Sequence, residues 1–316
     1  MKRQDPNFIR SGAPAVASTA RAASVRSVVI TPEQREFWGA EGYLPIPSGI
    51  TTPEEAAFVV EIYDRAFSER AGFETGNYFD FTGNDRGKAA FPQLFFLSNF
   101  DERLRDTRLW ANAHAVAREL LGPGFRLLFE HALLKPPGGP ATPWHQDQAF
   151  YEPGERYDSL TIWVPLQDVT REAGCLQFIP RSHLGSLLPH QPLNNDPTIH
   201  ALEALGVDAA KAAACPLKLG GATVHHRMTL HYAAPNTTDQ PRRAYSLLFG
   251  VKRPKPFVTT LHPWLAAQRT ARRSREEASM SSWRTLRRRV RLGLNTMGIF
   301  PALRPFAHFK RSKPKG

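Results

Sequence analysis

Residues 222–251 read ATVHHRMTLHYAAPNTTDQPRRAYSLLFGV. Two apolar runs, Ala222–Val224 and Ala244–Val251, flank a stretch in which His231 is followed by Pro235, Asn236, Asp239 and Pro241. Short apolar runs cut by Pro, Asn and Asp are the pattern of short strands joined by turns. The same texture reaches back through Cys175–Ile179, Leu160–Leu166 and Phe125–Leu134, and forward to about Val258. So many short strands in succession predict a sandwich or barrel.

Upstream of that region the periodicity is helical. Thr31-Pro32-Glu33-Gln34 sets an N-cap hydroxyl three residues before a glutamine, with proline at the first helical position, and the helix should stop near Gly42. Thr52-Pro53-Glu54-Glu55 repeats the capping pattern, with Phe58, Val59, Ile62 and Ala66 on one face. A third helix is expected over 101–121, with Leu109, Ala113, Val116 and Leu120 on its buried stripe, ended by Gly122-Pro123-Gly124. Helices followed by a run of strands make an α+β chain, mainly β, around one β core. Eight aromatics between Phe73 and Phe100 serve chiefly that core.

Composition narrows the function classes. The 316 residues carry a formal net charge of +12, which invites a nucleic-acid reading. Residues 266–316 hold fourteen basic side chains against Glu276 and Glu277, which is the whole excess, so residues 1–265 are neutral. The charge belongs to the tail. Two cysteines, Cys175 and Cys215, exclude a disulfide framework and a cysteine-built zinc site, and read as buried reduced thiols. The sequence contains no apolar run long enough to span a bilayer as a helix. Residues 1–28, rich in Ala, Ser and Arg, read as a disordered N-terminal extension, residues 29–265 as the body, and residues 266–316 as a basic amphipathic tail.

The chemistry centres on Thr142-Pro143-Trp144-His145-Gln146-Asp147. At a strand end, positions i and i+2 point to the same side, so His145 and Asp147 can converge on one metal ion. A second histidine from a distant strand would complete a face of two imidazoles and one carboxylate, which leaves three positions open and suits non-haem Fe(II). Alone, His-x-Asp is a common spacing, and a hydrogen-bonded loop histidine reads the same. The second cluster adds weight to it. His231 ends an apolar stretch, and eleven residues later Arg242 opens the next strand, where its fork can pair with a carboxylate. Ser246, four residues on, shares the face of Arg242. His225 and His226 compete with His231 for the ligand role, and the spacing to Arg242 favours His231.

These blocks resemble the phytanoyl-CoA dioxygenase (PhyH-like) family of Fe(II)/2-oxoglutarate oxygenases. The similarity runs from Thr31-Pro32-Glu33-Gln34 and Gly42-Tyr43 to about Val251. It takes in Pro143-Trp144-His145-Gln146-Asp147, Trp163-Val164-Pro165-Leu166, Gly174-Cys175-Leu176, Ile179-Pro180-Arg181-Ser182-His183 and the block from His231 to Ser246. The resemblance implies a double-stranded β-helix (jelly-roll, cupin-like) core with flanking N-terminal helices. It implies Fe(II) held by His145, Asp147 and His231, with O2 and 2-oxoglutarate as co-substrates. Arg242, supported by Ser246, would hold the distal carboxylate of 2-oxoglutarate, and Trp163 would line its pocket. The implied reaction is oxidation, favouring hydroxylation, of a small-molecule or lipid-like substrate with release of succinate and CO2. Related halogenases carry a small residue where this chain has Asp147, so halogenation is disfavoured. The common motif has Gly where this chain has Arg181, a departure expected to alter the substrate mouth. The remaining histidines, His183 included, read as structural.

In the tail, Trp283, Leu286, Val290, Leu294 and Met297 define one helical face, with five arginines between 284 and 291 around the rest. A basic amphipathic helix of this kind suits an anionic membrane surface, giving a cytoplasmic protein with peripheral membrane contact through 280–316. A helix packed on the body reads equally well. Nucleic acid is disfavoured because no folded nucleic-acid motif accompanies the charge. The competing functions are a catalytically silent β-helix binding protein and a nucleic-acid-associated protein acting through its tail. Retention of all three candidate ligands and Arg242 argues against the first.

Overall fold

The computed structural model describes residues 28–83, 89–151, 157–252 and 262–280. The extension over 1–27 and the amphipathic segment over 281–316 therefore lie outside the described residues. Helix α1 (Pro32–Glu41) begins with the expected capping box, Thr31 and Gln34 bonding each other's backbone, and ends at Gly42. Gly42 has φ +79°, and a Cβ there would lie 2.3 Å from the His183 ring, so both backbone and space require glycine. Strand β1 (Tyr43–Ile46) follows, then α2 (Pro53–Ser68), capped by Thr52 and burying Val59, Ile62, Tyr63 and Ala66.

Strands β2 (Tyr78–Asp80) and β3 (Pro92–Phe95) precede α3 (Arg108–Leu121). The third helix starts later than its sequence suggests. Thr107 takes an extended conformation and its side chain accepts from the Trp110 N–H, so residues 102–106 form only a 3-10 turn. Glu55 supplies a second cap, accepting from the Arg108 and Leu109 N–H groups across the α2–α3 interface. The remaining strands are β4 (Arg126–Lys135), β5 (Thr142–His145), β6 (Tyr157–Pro165), β7 (Leu176–Phe178), β8 (His190–Pro192) and β9 (Leu202–Ala204). They are followed by β10 (Ala213–Cys215), β11 (Ala222–His226), β12 (His231–Ala233) and β13 (Arg242–Lys252).

One antiparallel sheet runs β1-β11-β6-β13-β4-β3-β2 and a second runs β10-β7-β12-β5, with β8 and β9 as a separate pair. This meets the sandwich or barrel expected from the strand texture, in the jelly-roll form that the family resemblance implies. The seven-stranded sheet has two buried faces. Leu160, Ile162 and Val164 of β6 and Tyr245, Leu247 and Phe249 of β13 pack outward in the large cluster that includes α2 and α3 residues. Trp163 and Ala244 face inward with Phe178 and Leu176 of the smaller sheet. Arg243, on the outer side, pairs with both oxygens of Asp64 on α2 at 2.7 and 2.8 Å and pins that helix to the sheet.

Arg181 has φ +65°, a left-handed backbone that explains why glycine is common at this motif position. Its side chain is exposed. Beyond residue 262 two helices, α4 (Pro263–Ala267) and α5 (Ala271–Ser279), lie across the body rather than leaving it. Trp264 donates to the Ala149 carbonyl at 2.9 Å, Gln268 to the His200 carbonyl at 3.1 Å, and Arg275 to the Phe73 carbonyl at 2.9 Å. The Arg272 guanidinium sits 4.6 Å from the Phe95 ring centroid. Packing therefore continues past residue 265, and part of the tail's basic charge is spent on aromatic faces of the body.

Behind the sheet, buried Glu130 accepts from the Tyr245 hydroxyl at 2.6 Å and from the Ser98 N–H and hydroxyl at 3.0 and 2.7 Å. Tyr245→Phe removes one of three donors to a buried carboxylate and should destabilise the fold by ~1–3 kcal/mol. Urea unfolding monitored by tryptophan fluorescence checks this; an unchanged midpoint would mean that the bond contributes nothing net.

Candidate metal centre

The centre is built where the two sheets face each other. His145 ends β5 and His231 opens β12, and the two are direct partners in the antiparallel register. Gln146 is extended, with φ −114° and ψ 130°, so the strand's alternation carries one residue past β5 and delivers Asp147 to the same side as His145. Asp147 then opens a 3-10 turn, Asp147–Phe150. One ligand atom from each of His145, Asp147 and His231 lies within 4.8 Å of the others.

The tautomers are fixed from behind. Nδ1 of His145 lies 2.8 Å from the Pro143 carbonyl, and Nδ1 of His231 lies 2.9 Å from the Thr229 carbonyl. A carbonyl only accepts, so each Nδ1 carries the proton and each Nε2 presents a lone pair. Those Nε2 atoms stand 3.8 and 3.5 Å from Asp147 Oδ1. Burial pushes both imidazoles below their ordinary range, keeping them neutral. Burial by itself would raise the Asp147 carboxyl, but the net direction is downward, because a proton on the His231, His225 or His145 ring beside it stabilises the carboxylate. Two neutral nitrogens and one carboxylate are the donor set a divalent non-haem metal takes.

Gln146, between the two candidate ligands, points away and acts as a brace. Its amide donates to the Met228 carbonyl at 2.8 Å and its carbonyl accepts from the Leu188 N–H at 2.8 Å. Its backbone N–H is satisfied by His190 Nε2 at 3.2 Å. Thr161 on β6 donates to Asp147 Oδ2 at 2.8 Å. Neither Gln146 nor Thr161 stands out in the sequence, although Thr161 sits two residues before Trp163 and therefore on the same strand face.

On the inner face of β13, Arg242 is buried, and its Nε and Nη1 have no hydrogen-bond partner among the described residues. Its guanidinium lies 5.4 Å from the Trp163 ring centroid and 5.9 Å from that of Phe91. Ser246, two strand positions along the same face, pairs in register with Trp163 on β6 and His131 on β4. Arg242, Ser246 and Trp163 thus share one inner wall, which also carries Thr161. Lys135, the register partner of Arg242, is fully buried, donates to the Ala234 carbonyl at 2.7 Å, and is pushed down to about 6 by burial and by Arg242. His226, the other competing histidine, faces the opposite side of β11, 6.3 Å between ring centroids from Trp38.

The model of the phytanoyl-CoA dioxygenase (PhyH) family matches residues 40–244. Among solved structures, EvdO2 from Micromonospora carbonacea var. aurantiaca, known also in complex with 2-oxoglutarate, is 37% identical with a TM-score of 0.65. That match covers 75% of this chain and 97% of EvdO2. A "Probable alpha-ketoglutarate-dependent hypophosphite dioxygenase" of Stutzerimonas stutzeri is 33% identical over 158 residues, 48% of this chain and 52% of that protein. "Phytanoyl-CoA dioxygenase domain-containing protein 1" of Danio rerio is 31% identical over 134 residues, 41% of this chain and 45% of that protein. The matches thus span about half the length of these two curated relatives.

The buried histidines have a consequence for stability. Burial takes His131 from 6.5 to about 3, and His190 and His226 from 6.5 to about 4. Below about pH 6.5 the unfolded chain binds protons that the folded chain refuses, so folding stability falls as pH falls, until the folded pKa values are reached. The urea midpoint of metal-free protein should therefore drop continuously between about pH 7 and pH 4. A flat midpoint over that window would show that these rings are not held neutral.

Proposed function

The chain belongs to the phytanoyl-CoA dioxygenase family, and from that premise we propose that it is a non-haem Fe(II)- and 2-oxoglutarate-dependent dioxygenase that hydroxylates a small organic substrate. The observation that carries this reading is the pairing of two features in one barrel. Between the two sheets His145, Asp147 and His231 offer two neutral nitrogens and an oxygen; on the inner wall of the seven-stranded sheet Arg242 is a buried cation whose Nε and Nη1 have no hydrogen-bond partner among the described residues. A buried guanidinium left without an anion is expensive, and the distal carboxylate of 2-oxoglutarate is the anion it is suited to receive. The residues therefore fit both groups that the family implies.

Fe(II), once bound with 2-oxoglutarate and O2, supplies a two-electron oxidation of 2-oxoglutarate to succinate and CO2 coupled to oxidation of the substrate. The chain contributes the geometry. His145 and His231 point their lone pairs inward because Pro143 and Thr229 hold the opposite nitrogens. Asp147 takes a position on the metal, which disfavours halide there. Arg242 and Ser246 orient the co-substrate, and the indole of Trp163 covers the Arg242 guanidinium and keeps water from it. From His145 a series of aromatic contacts runs back into the core. Phe150 meets His145 at 5.7 Å between centroids and His200 at 5.7 Å, and His200 meets Phe79 at 4.8 Å. If the basic tail meets membrane, a lipid-like or amphipathic substrate is the class that follows.

Asp147→Ala should abolish stoichiometric Fe(II) binding and bring succinate formation to background. Arg242→Met should leave Fe(II) binding intact while weakening 2-oxoglutarate by ~2–4 kcal/mol, roughly 30- to 1,000-fold. Iron analysis together with a 2-oxoglutarate-to-succinate assay reads both; an Asp147→Ala protein that turns over 2-oxoglutarate at the wild-type rate would end the proposal.

No helix among the described residues is long and apolar enough to cross a membrane. The arginine-rich sequence beyond Met280 supports a cytoplasmic protein that touches anionic membrane at its surface. Flotation with phosphatidylserine-containing vesicles should carry the full chain upward and leave behind a chain ending at Met280. Equal flotation of the two excludes the contact.

A further inference from the structure

The Asp147 carboxylate has two oxygens, and each faces a different sheet. Oδ1 is turned to Nε2 of His231 and His145, at 3.5 and 3.8 Å, which come from the four-stranded sheet. Oδ2 accepts from Thr161 Oγ1 at 2.8 Å and lies 3.4 Å from His225 Nε2. Thr161 and His225 are direct register partners on β6 and β11, so both reach Oδ2 from the inner face of the seven-stranded sheet.

His225 is the unexplained member of this group. It is 2% exposed, and among the described residues neither ring nitrogen makes a hydrogen bond of good geometry. Leaving a buried polar group unpartnered is destabilising, so a role for it is expected. Packing holds the ring in place: it lies 4.2 Å from the His231 ring and 5.5 Å from that of Phe178, between centroids. The sequence makes His225 a rival of His231 for the metal. The geometry separates them, because the mutually adjacent donor set is His145, Asp147 and His231, while His225 approaches the other oxygen of the carboxylate.

We propose that His225 is a positioning residue for Asp147: its Nε2–H donates to Oδ2 alongside Thr161 and turns Oδ1 alone toward the metal. This rests on the metal site proposed above. A carboxylate with both oxygens free can chelate through both and fill one of the positions that a bidentate 2-oxoacid and O2 require. Donors on Oδ2 engage its lone pairs and keep the ligand one-toothed. A hydrogen-bonding partner of a metal ligand typically accounts for 10- to 100-fold in metal affinity, and that is the effect assigned to His225.

The test is anaerobic Fe(II) titration of the full chain, with the visible charge-transfer absorption that forms when 2-oxoglutarate chelates the bound iron as a second readout. His225→Phe keeps a ring and removes the donor; it should weaken Fe(II) by about 10- to 100-fold and alter the charge-transfer band. His225→Gln restores an N–H donor and should recover most of the affinity and the band. Thr161→Val removes the other donor without disturbing His225 and should also weaken Fe(II), so the idea stays testable if the Phe variant fails to fold. Wild-type affinity and an unaltered band in His225→Phe, or in Thr161→Val, would overturn the role. Loss of all iron from both the Phe and Gln variants, with unfolding midpoints unchanged, would make His225 a ligand and overturn it as well. If the wild-type chain binds no Fe(II), it is the dioxygenase reading that falls; the positioning role fails on its own only when the wild type binds and the variants match it.

Discussion

The register between β5 and β12 is the constraint from which the site follows. His145 and His231 are separated by most of the β region in sequence, and only their pairing across one strand boundary brings their rings to 4.0 Å between centroids. A slip of one residue would turn His231 to the far face of its sheet and leave His145 without a partner. Strands of three and four residues carry little register information of their own. It is supplied by polar bonds at the ends: Ser182 Oγ accepts from the Leu230 N–H at 2.9 Å. Beyond β12, Asn236 donates to the carbonyls of Lys135, Pro136 and Gln240. Asn236 itself is fully buried, so breaking its bonds leaves an amide with little else to satisfy it.

The interior also sorts charge by position. The imidazoles and Asp147 occupy the region between the sheets, where a cation is wanted. Arg242 and Lys135 stand together on β13 and β4 with no acidic side chain paired to either among the described residues, and burial lowers Arg242 to about 10 and Lys135 to about 6. A ligand negative at its far end and metal-binding at its near end matches both demands at once. Lys135 answers part of its own demand by donating to backbone carbonyls, whereas Arg242 has nothing comparable for Nε and Nη1.

Much of this is legible in the sequence, and the illegible part has identifiable causes. Long strands such as β4, β6 and β13 declare themselves as apolar runs, and Thr31, Thr52 and Gly42 mark helix ends by their chemistry. His145, Asp147, His231 and Arg242 emerge from residue type and order along the chain, and the geometry then gathers the first three. Strands β2, β3 and β8 to β10 have three or four residues each, too few for alternation to register. Thr161 and His225 meet Asp147 only through the pairing of β6 with β11, which no local pattern encodes. The charge excess past residue 265 hides a different fact, that Arg272 and Arg275 are packing residues whose stems and guanidinium faces cover aromatic rings.

The bond from Trp264 to the Ala149 carbonyl has a consequence for how the protein is made. A ribosome releases the chain from its N-terminus, at about 5–20 residues per second, so β5 and the turn that carries Asp147 emerge well before α4. During that interval the turn lacks its bond to Trp264, and the His200 segment lacks Gln268. The barrel can close around β13 first; α4 and α5 fasten the Asp147 turn only afterwards. The turn that carries Asp147, in such an order, takes its final shape at the end of synthesis rather than in its middle.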